Sequence, residues 1–156
     1  MLGYVEFLIP VVPPIAGIKL GLGNIAVLAA LIMLQSDTLA AGIMLTKVTL
    51  SALLFSGVGG FVYSLAGGVF SLIVMASACR CKKLSAAGIS CAGGAAHMAA
   101  QAVVAACITS TPMVLLLIPI LTAVGTATGF LNGIVLNLAS RSLKKYITAE
   151  GVQQRQ

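Results

Sequence analysis

Long apolar runs separated by short polar breaks make up most of this chain. Ile25 to Leu34, Thr38 to Phe55, Val58 to Ala78, Leu84 to Ile108 and Met113 to Ala139 are apolar almost throughout, and a shorter run, Met1 to Val12, precedes them. A helix that crosses a bilayer needs about 20 mainly apolar residues. The later runs reach that length or come close to it, and the Ile25 run reaches it by extending back into Gly17–Asn24. The breaks are Gln35-Ser36-Asp37, Ser56-Gly57, Cys79–Lys83 and Thr109–Pro112. Met1–Val12 is too short to span and meets helix-stopping prolines at Pro10, Pro13 and Pro14. It lacks a basic leading region and a small-residue cleavage site, so it reads as the outer part of a helix whose beginning is absent rather than as a signal peptide. The expected architecture is an all-α, polytopic membrane helix bundle of six helices with the first truncated. The bundle covers residues 1–145, and a polar cytoplasmic tail covers 146–156.

Composition sharpens this reading. Of 156 residues, 60% are apolar and only 8% charged, against about 25% charged in ordinary soluble domains. One small core cannot hide that much apolar surface and still leave a wettable exterior. A soluble enzyme, a disordered tail and a nucleic-acid arm are therefore excluded. The net charge of +6 is not a nucleic-acid signal, because most cations cluster at the ends of apolar runs, as the positive-inside rule expects of cytoplasmic loops. Placing Arg80, Lys82, Lys83, Arg141, Lys144 and Lys145 inside puts the 35–37 turn inside as well. The 10–24, 55–57 and 109–112 segments then lie outside, and both termini are cytoplasmic. Lys19, in an outer loop, and Lys47, within a helix, break the rule.

Helices in lipid associate through close packing of small residues. Gly125, Gly129 and Gly133 recur every fourth residue on one face, as do Gly60, Ser64 and Gly68, and the pair Ala26 and Ala30; these are expected packing grooves. Pro119 is expected inside the last helix, bending it and freeing a carbonyl that needs a partner.

Chemistry is sparse. Cys79, Cys81, Cys91 and Cys107 fit no zinc spacing. The chain has no nucleotide loop of the G-x-x-x-x-G-K-[ST] type, no acidic cluster for Mg²⁺ and no nucleophile–histidine–acid set. The expectation is a non-enzyme with no catalytic residues, no metal and no cofactor. What remains are polar side chains within or beside the spans. An ionisable residue at a helix centre costs about 2.5–3.5 kcal/mol on insertion scales and usually faces a cavity; Lys47 is in that position. His97 and Gln101, four apart, share a helical face, where they serve either a ligand or an interhelical clamp. Glu6, near the outer surface, is placed to pair with Lys19 or Lys47. Lys19 and Asn24 belong to a glycine-rich segment where backbone can approach a ligand closely. Asn132, Asn137 and Tyr63 are weaker candidates. The expected substrate-binding set is Lys19, Asn24, Lys47, His97, Gln101 and Glu6, with Lys19 and Lys47 as anion partners.

Three stretches resemble a known family: Gly17-Ile-Lys-Leu-Gly-Leu-Gly-Asn24; Ser64-Leu-Ala-Gly-Gly68 with Ser71-Leu-Ile-Val-Met75; and Gly94-x-x-His97-x-x-x-Gln101. They look like the Gx transporter family, whose older label is heptaprenyl diphosphate synthase component I, and which is similar to the substrate-binding S components of energy-coupling-factor (ECF) transporters. The resemblance implies an S-component-like fold with a ligand pocket near the outer face, capped by the loop that holds Lys19. It also implies a transmembrane T subunit and two ATP-binding cassette subunits as partners, in a bacterial cytoplasmic membrane. The implied ligand is a small anionic molecule, with a flavin as first choice. The older label points instead to an accessory role in prenyl-diphosphate or quinone-precursor synthesis. Two departures stand out: the late start of the first helix, where S components often dock the T subunit, and Lys47 at a place where Arg is expected.

Overall fold

The computed structural model describes residues 22–81 and 83–153; residues 22, 23, 55, 56 and 142–153 are described by their backbone alone. Five helices follow in order: α1 (Leu22–Ile32), α2 (Asp37–Ser51), α3 (Gly57–Arg80), α4 (Ala86–Thr109) and α5 (Ile118–Gln153). A π-helical turn, Ala52–Ser56, closes α2, and a 3-10 segment, Pro112–Leu117, leads into α5. Among the described residues there is no strand. The expected first helix, Met1–Val12, lies outside the described residues, which accounts for five helices against six expected. The last helix continues past the expected bundle limit of residue 145 as far as Gln153.

Local sequence sets the helix ends. Ser36 caps α2, its hydroxyl accepting from the Leu39 N–H at 3.3 Å, and Asp37 adds an acid to the first turn, where a negative charge suits the helix dipole. Ser85 caps α4 in the same way through Gly88 N–H at 3.2 Å. At the other end of α4, Ser110 turns left-handed (φ 51°) and donates its N–H to Ala106 O, satisfying one of the carbonyls a helix end leaves open.

Among the described residues four stretches are long and apolar enough to cross a membrane: Asp37–Leu54, Gly57–Arg80, Ala86–Thr109 and Pro112–Arg141. At about 1.5 Å per residue, the 24 residues of α3 extend roughly 36 Å, enough for a hydrocarbon layer of about 30 Å. Large apolar side chains cover the outside; Leu53 is 79% and Val58 83% exposed. In water such a surface would drive aggregation; in lipid it is the proper exterior. The protein is a multi-pass membrane protein. α1, expected to grow into a full span, has only 11 described residues, or about half a crossing by the same rise. Val27, Leu28, Ala30 and Leu31 are nevertheless buried in the core cluster with Ala40, Met44, Val48 and Met75.

The chain reverses direction at Ser56–Gly57 with almost no loop. Gly57 donates its N–H to Ala52 O, closing the π turn, and takes φ 60°, ψ −165°, a region that is essentially glycine-only. α3 then runs back along α2, and Gly68 meets Met44 and Val48. At the far ends of this hairpin Arg80 pairs with Asp37 at 2.7 Å. The pair is well exposed, so it adds little stability, but it fixes the 35–37 turn and the Cys79–Lys83 segment at one end of the bundle. Gly57→Ala is expected to lower stability by about 1–3 kcal/mol, measurable as a lower Tm of the detergent-solubilised protein.

α4 and α5 make the tightest contact in the bundle. Gly94 lies against the Gly125 backbone, Gly129 against Ser90 O and Gly133 against Ala87. The expected Gly125, Gly129 and Gly133 groove is thus a packing face, its partner the small residues of α4. Because Gly133 meets Ala87, the Arg141 end of α5 stands beside the start of α4. The basic segments therefore gather at one end, as the charge pattern anticipates. Of the other expected faces, Ala30 is buried and Gly68 packs against α2.

Pro119 corrects a reading of the sequence. It does not bend a continuous helix but sits in the first turn of α5, where a missing N–H removes no bond. Leu115 O, the carbonyl a residue at 119 would ordinarily bond, is taken by Ile118 N–H in the preceding 3-10 turn. The change of helix type absorbs the proline.

Candidate functional site

The site begins with α2. Ala40, Met44 and Val48 recur every fourth residue and are buried. Lys47, three residues after Met44, lies at the edge of that stripe, about midway between Asp37 and Ser56. It is half-buried and turns into the bundle, where Nζ donates to Asn24 Oδ1 at 2.8 Å. Asn24 is in the first turn of the described α1. The Lys47 bond sets that turn level with the middle of α2. The sequence left Gly17–Asn24 open between a loop and a helix entry; Asn24 is held by a helix.

Two adjacent glycines shape the wall opposite Lys47. Neighbouring helix residues point about 100° apart, so Gly67 and Gly68 face different partners. A Cβ at Gly68 would stand 2.8 Å from Met44 Sδ, and one at Gly67 would stand 2.8–2.9 Å from three atoms of the His97 ring. Either methyl would force its neighbour to move. The double glycine therefore lets α3 sit close to α2 on one side and lets the imidazole lie on its backbone on the other. His97 is about midway along α4 and lies on Gly67, next to the Gly68 that meets Met44 and Val48 of α2. The ring packs on Gly67, and its Nδ1 is buried without a hydrogen-bond partner.

The structure thus brings together Asn24, Lys47 and His97, from α1, α2 and α4, around the Gly67 backbone of α3. Gln101 is half-buried one turn along α4, toward the end opposite Arg80. Glu6 and Lys19 lie outside the described residues. Among the weaker candidates, Asn132 is buried at 4% exposure in α5, Tyr63 is half-buried and Asn137 faces outward. Two residues were missed. Gly67 had no role of its own in the sequence reading, but it is the seat of the imidazole. Ser71, one turn further along α3, is 3% exposed, and its Oγ has no hydrogen-bond partner. Among the described residues no group of three His, Cys, Asp or Glu is placed to hold a metal, and all four cysteines are free thiols.

An ammonium, an amide and an imidazole at one depth of an apolar bundle can orient and bind a polar solute. The molecule is a polytopic helical membrane protein with a polar centre. A family model described as heptaprenyl diphosphate synthase component I matches residues 1–139, and the chain belongs to that family, also called the Gx transporters. No characterised protein and no solved structure matches it.

Proposed function

We propose that the protein is the membrane-embedded substrate-binding subunit of an ECF-type transporter and carries a small anionic molecule. The observation that carries this reading is Lys47, a cation at mid-depth in a span that turns onto Asn24 rather than toward lipid. An intramembrane ionisable group directed into a bundle marks a solute path or site far more often than a structural accident. An ammonium presents three donors and a point charge, which suits a carboxylate or phosphate. The imidazole of His97 and the amides of Asn24 and Gln101 add directional donors and acceptors for the rest of the ligand.

The sequence has no nucleotide-hydrolysing loop, which leaves a partner or an ion gradient as the energy source, and the family resemblance favours partners: a transmembrane T subunit and ATP-binding cassette subunits. The basic end faces the cytoplasm of a bacterial cell by the positive-inside rule, and ligand arrives from the other side. No chemical step is assigned to this chain. A flavin is the first ligand to test, on family resemblance. The protein purified in detergent and titrated with FMN and riboflavin should quench flavin fluorescence saturably, with FMN tighter because of its phosphate. If neither flavin binds while mass spectrometry finds another anionic molecule co-purifying, the flavin assignment falls and the anion site stands. The family description favours a rival, an accessory subunit of prenyl-diphosphate synthesis. Co-purification with a soluble enzyme bearing acid clusters, and without ATPase subunits, would replace the transport reading.

A further inference from the structure

Five hydroxyl side chains on these helices follow one habit. Thr46 donates to Gly42 O, Ser77 to Ile73 O, Thr109 to Ala105 O, Thr122 to Ile118 O and Thr126 to Thr122 O, all at 2.7–2.8 Å. Each satisfies its hydroxyl on the carbonyl one turn back, the usual solution where water is scarce. Ser71 departs from it. Its Oγ is buried with no partner and points toward Gly93 of α4, where a Cβ would stand 3.1 Å away. Among the described residues the only other buried side-chain polar atom without a partner is His97 Nδ1.

These two atoms belong to one interface. Gly67 and Ser71 are one turn apart on α3, and His97 and Gly93 are one turn apart on α4. The helices pack Gly67 against His97 and Ser71 against Gly93, so His97 and Ser71 occupy adjacent layers of a single α3–α4 seam. Leaving either atom unsatisfied in an apolar bundle is costly, and a native structure normally gives such groups a partner. Two together, in a seam kept narrow by glycines, point to one shared partner.

We propose that the α3–α4 seam is a binding site for a hydroxyl-type oxygen, held between His97 Nδ1 and Ser71 Oγ. An O–H group carries both a proton and lone pairs, so it can meet either tautomer of the imidazole and still accept from or donate to the serine. A carboxylate lacks the proton, and an ammonium lacks the lone pair. The oxygen has two sources: a structural water, or a neutral hydroxyl of the transported molecule. The second source rests on the transport reading above. It gives the substrate two features, an anionic group for Lys47 and a separate hydroxyl for the seam.

A double-mutant cycle on the full-length protein in detergent tests this. Ser71→Ala, His97→Leu and the double variant are melted, with His97→Asn as a second variant that restores a polar atom near the Nδ1 position. With a shared guest, Ser71→Ala lowers Tm by a few degrees, and the loss disappears in the His97→Leu background but persists with His97→Asn. The ¹⁵N shift of His97 Nδ1 also moves on Ser71→Ala. If this coupling is present in protein without added ligand, the guest is water. If it appears only with saturating FMN or riboflavin, the guest is a substrate hydroxyl. If Ser71→Ala raises Tm and its effect is independent of residue 97 with and without flavin, the seam is dry and the proposal is overturned. Anion binding through Lys47 can survive that result, so the two readings fail separately.

Discussion

Lys47→Met should insert, fold and be recovered from membranes at normal yield, yet bind its anionic ligand at least about 10-fold and up to about 100-fold more weakly. Insertion is expected to improve, because a cation at mid-span costs about 2.5–3.5 kcal/mol and methionine removes that penalty. Two terms oppose full recovery of that gain in the folded state. The 2.8 Å bond to Asn24 is lost, and a half-buried amide is left without its charged donor, worth about 1–3 kcal/mol. Net stability should therefore change little, while binding loses a hydrogen bond to a charged group, about 1.5–3 kcal/mol by the same scale. Membrane fractionation and a melting curve report the fold, and equilibrium titration of the binding partner found by mass spectrometry reports the site. Lys47→Arg keeps the charge and should retain part of the affinity, since its planar fork holds an anion with a different geometry. Unchanged affinity in Lys47→Met would make the lysine a structural link between α1 and α2.

How much of this was legible depends on which physical constraint spoke in the sequence. Span lengths were, because lipid leaves backbone polar groups no partner but the helix itself and so imposes length on every crossing. The gathering of basic segments at one end was legible for a related reason, and the Gly133–Ala87 contact fits it. The glycines of α5 were readable as a face because fourfold spacing is itself the geometry of close helix contact. Half of the site was not. Gly67 and Gly68 are indistinguishable as letters, and only three-dimensional packing assigns one to Met44 and the other to His97. Ser71 looks like Ser77 in sequence, and the difference between a hydroxyl bonded to its own helix and one facing a seam is a rotamer. Pro119 misled because a proline in an apolar run implies a kink, whereas a 3-10 turn before it removes the need for one. Asn24 stayed open between a loop and a helix entry because glycines permit both, and only the structure shows the helix.

Gly125→Leu should prevent folding altogether, and Gly94→Ala should lower stability by about 3 kcal/mol or more, the upper range for overpacking a filled interface. The reason is the nature of the neighbour. At Gly67 and Gly68 an added carbon meets side-chain atoms, which can rotate away. At Gly94, Gly125 and Gly129 it meets backbone carbonyls of the facing helix, and these move only if the helices separate. Separation also dismantles the contacts of Ser90 and Met98 in the same interface, and no hydrophobic force restores them, because lipid is as apolar as the residues exposed. His97 lies between these layers and Gln101 on α4, so ligand binding should disappear with the fold. Gly42→Ala on α2 provides the control: nothing lies within 4 Å of the added carbon, and alanine is the better helix former by up to about 1 kcal/mol. Thermal melts monitored by size-exclusion chromatography should therefore show Gly42→Ala at or above the wild-type Tm and Gly94→Ala well below it. Equal melting temperatures for the two variants would mean that α4 and α5 do not meet backbone to backbone, and the seat of His97 would have to be rebuilt.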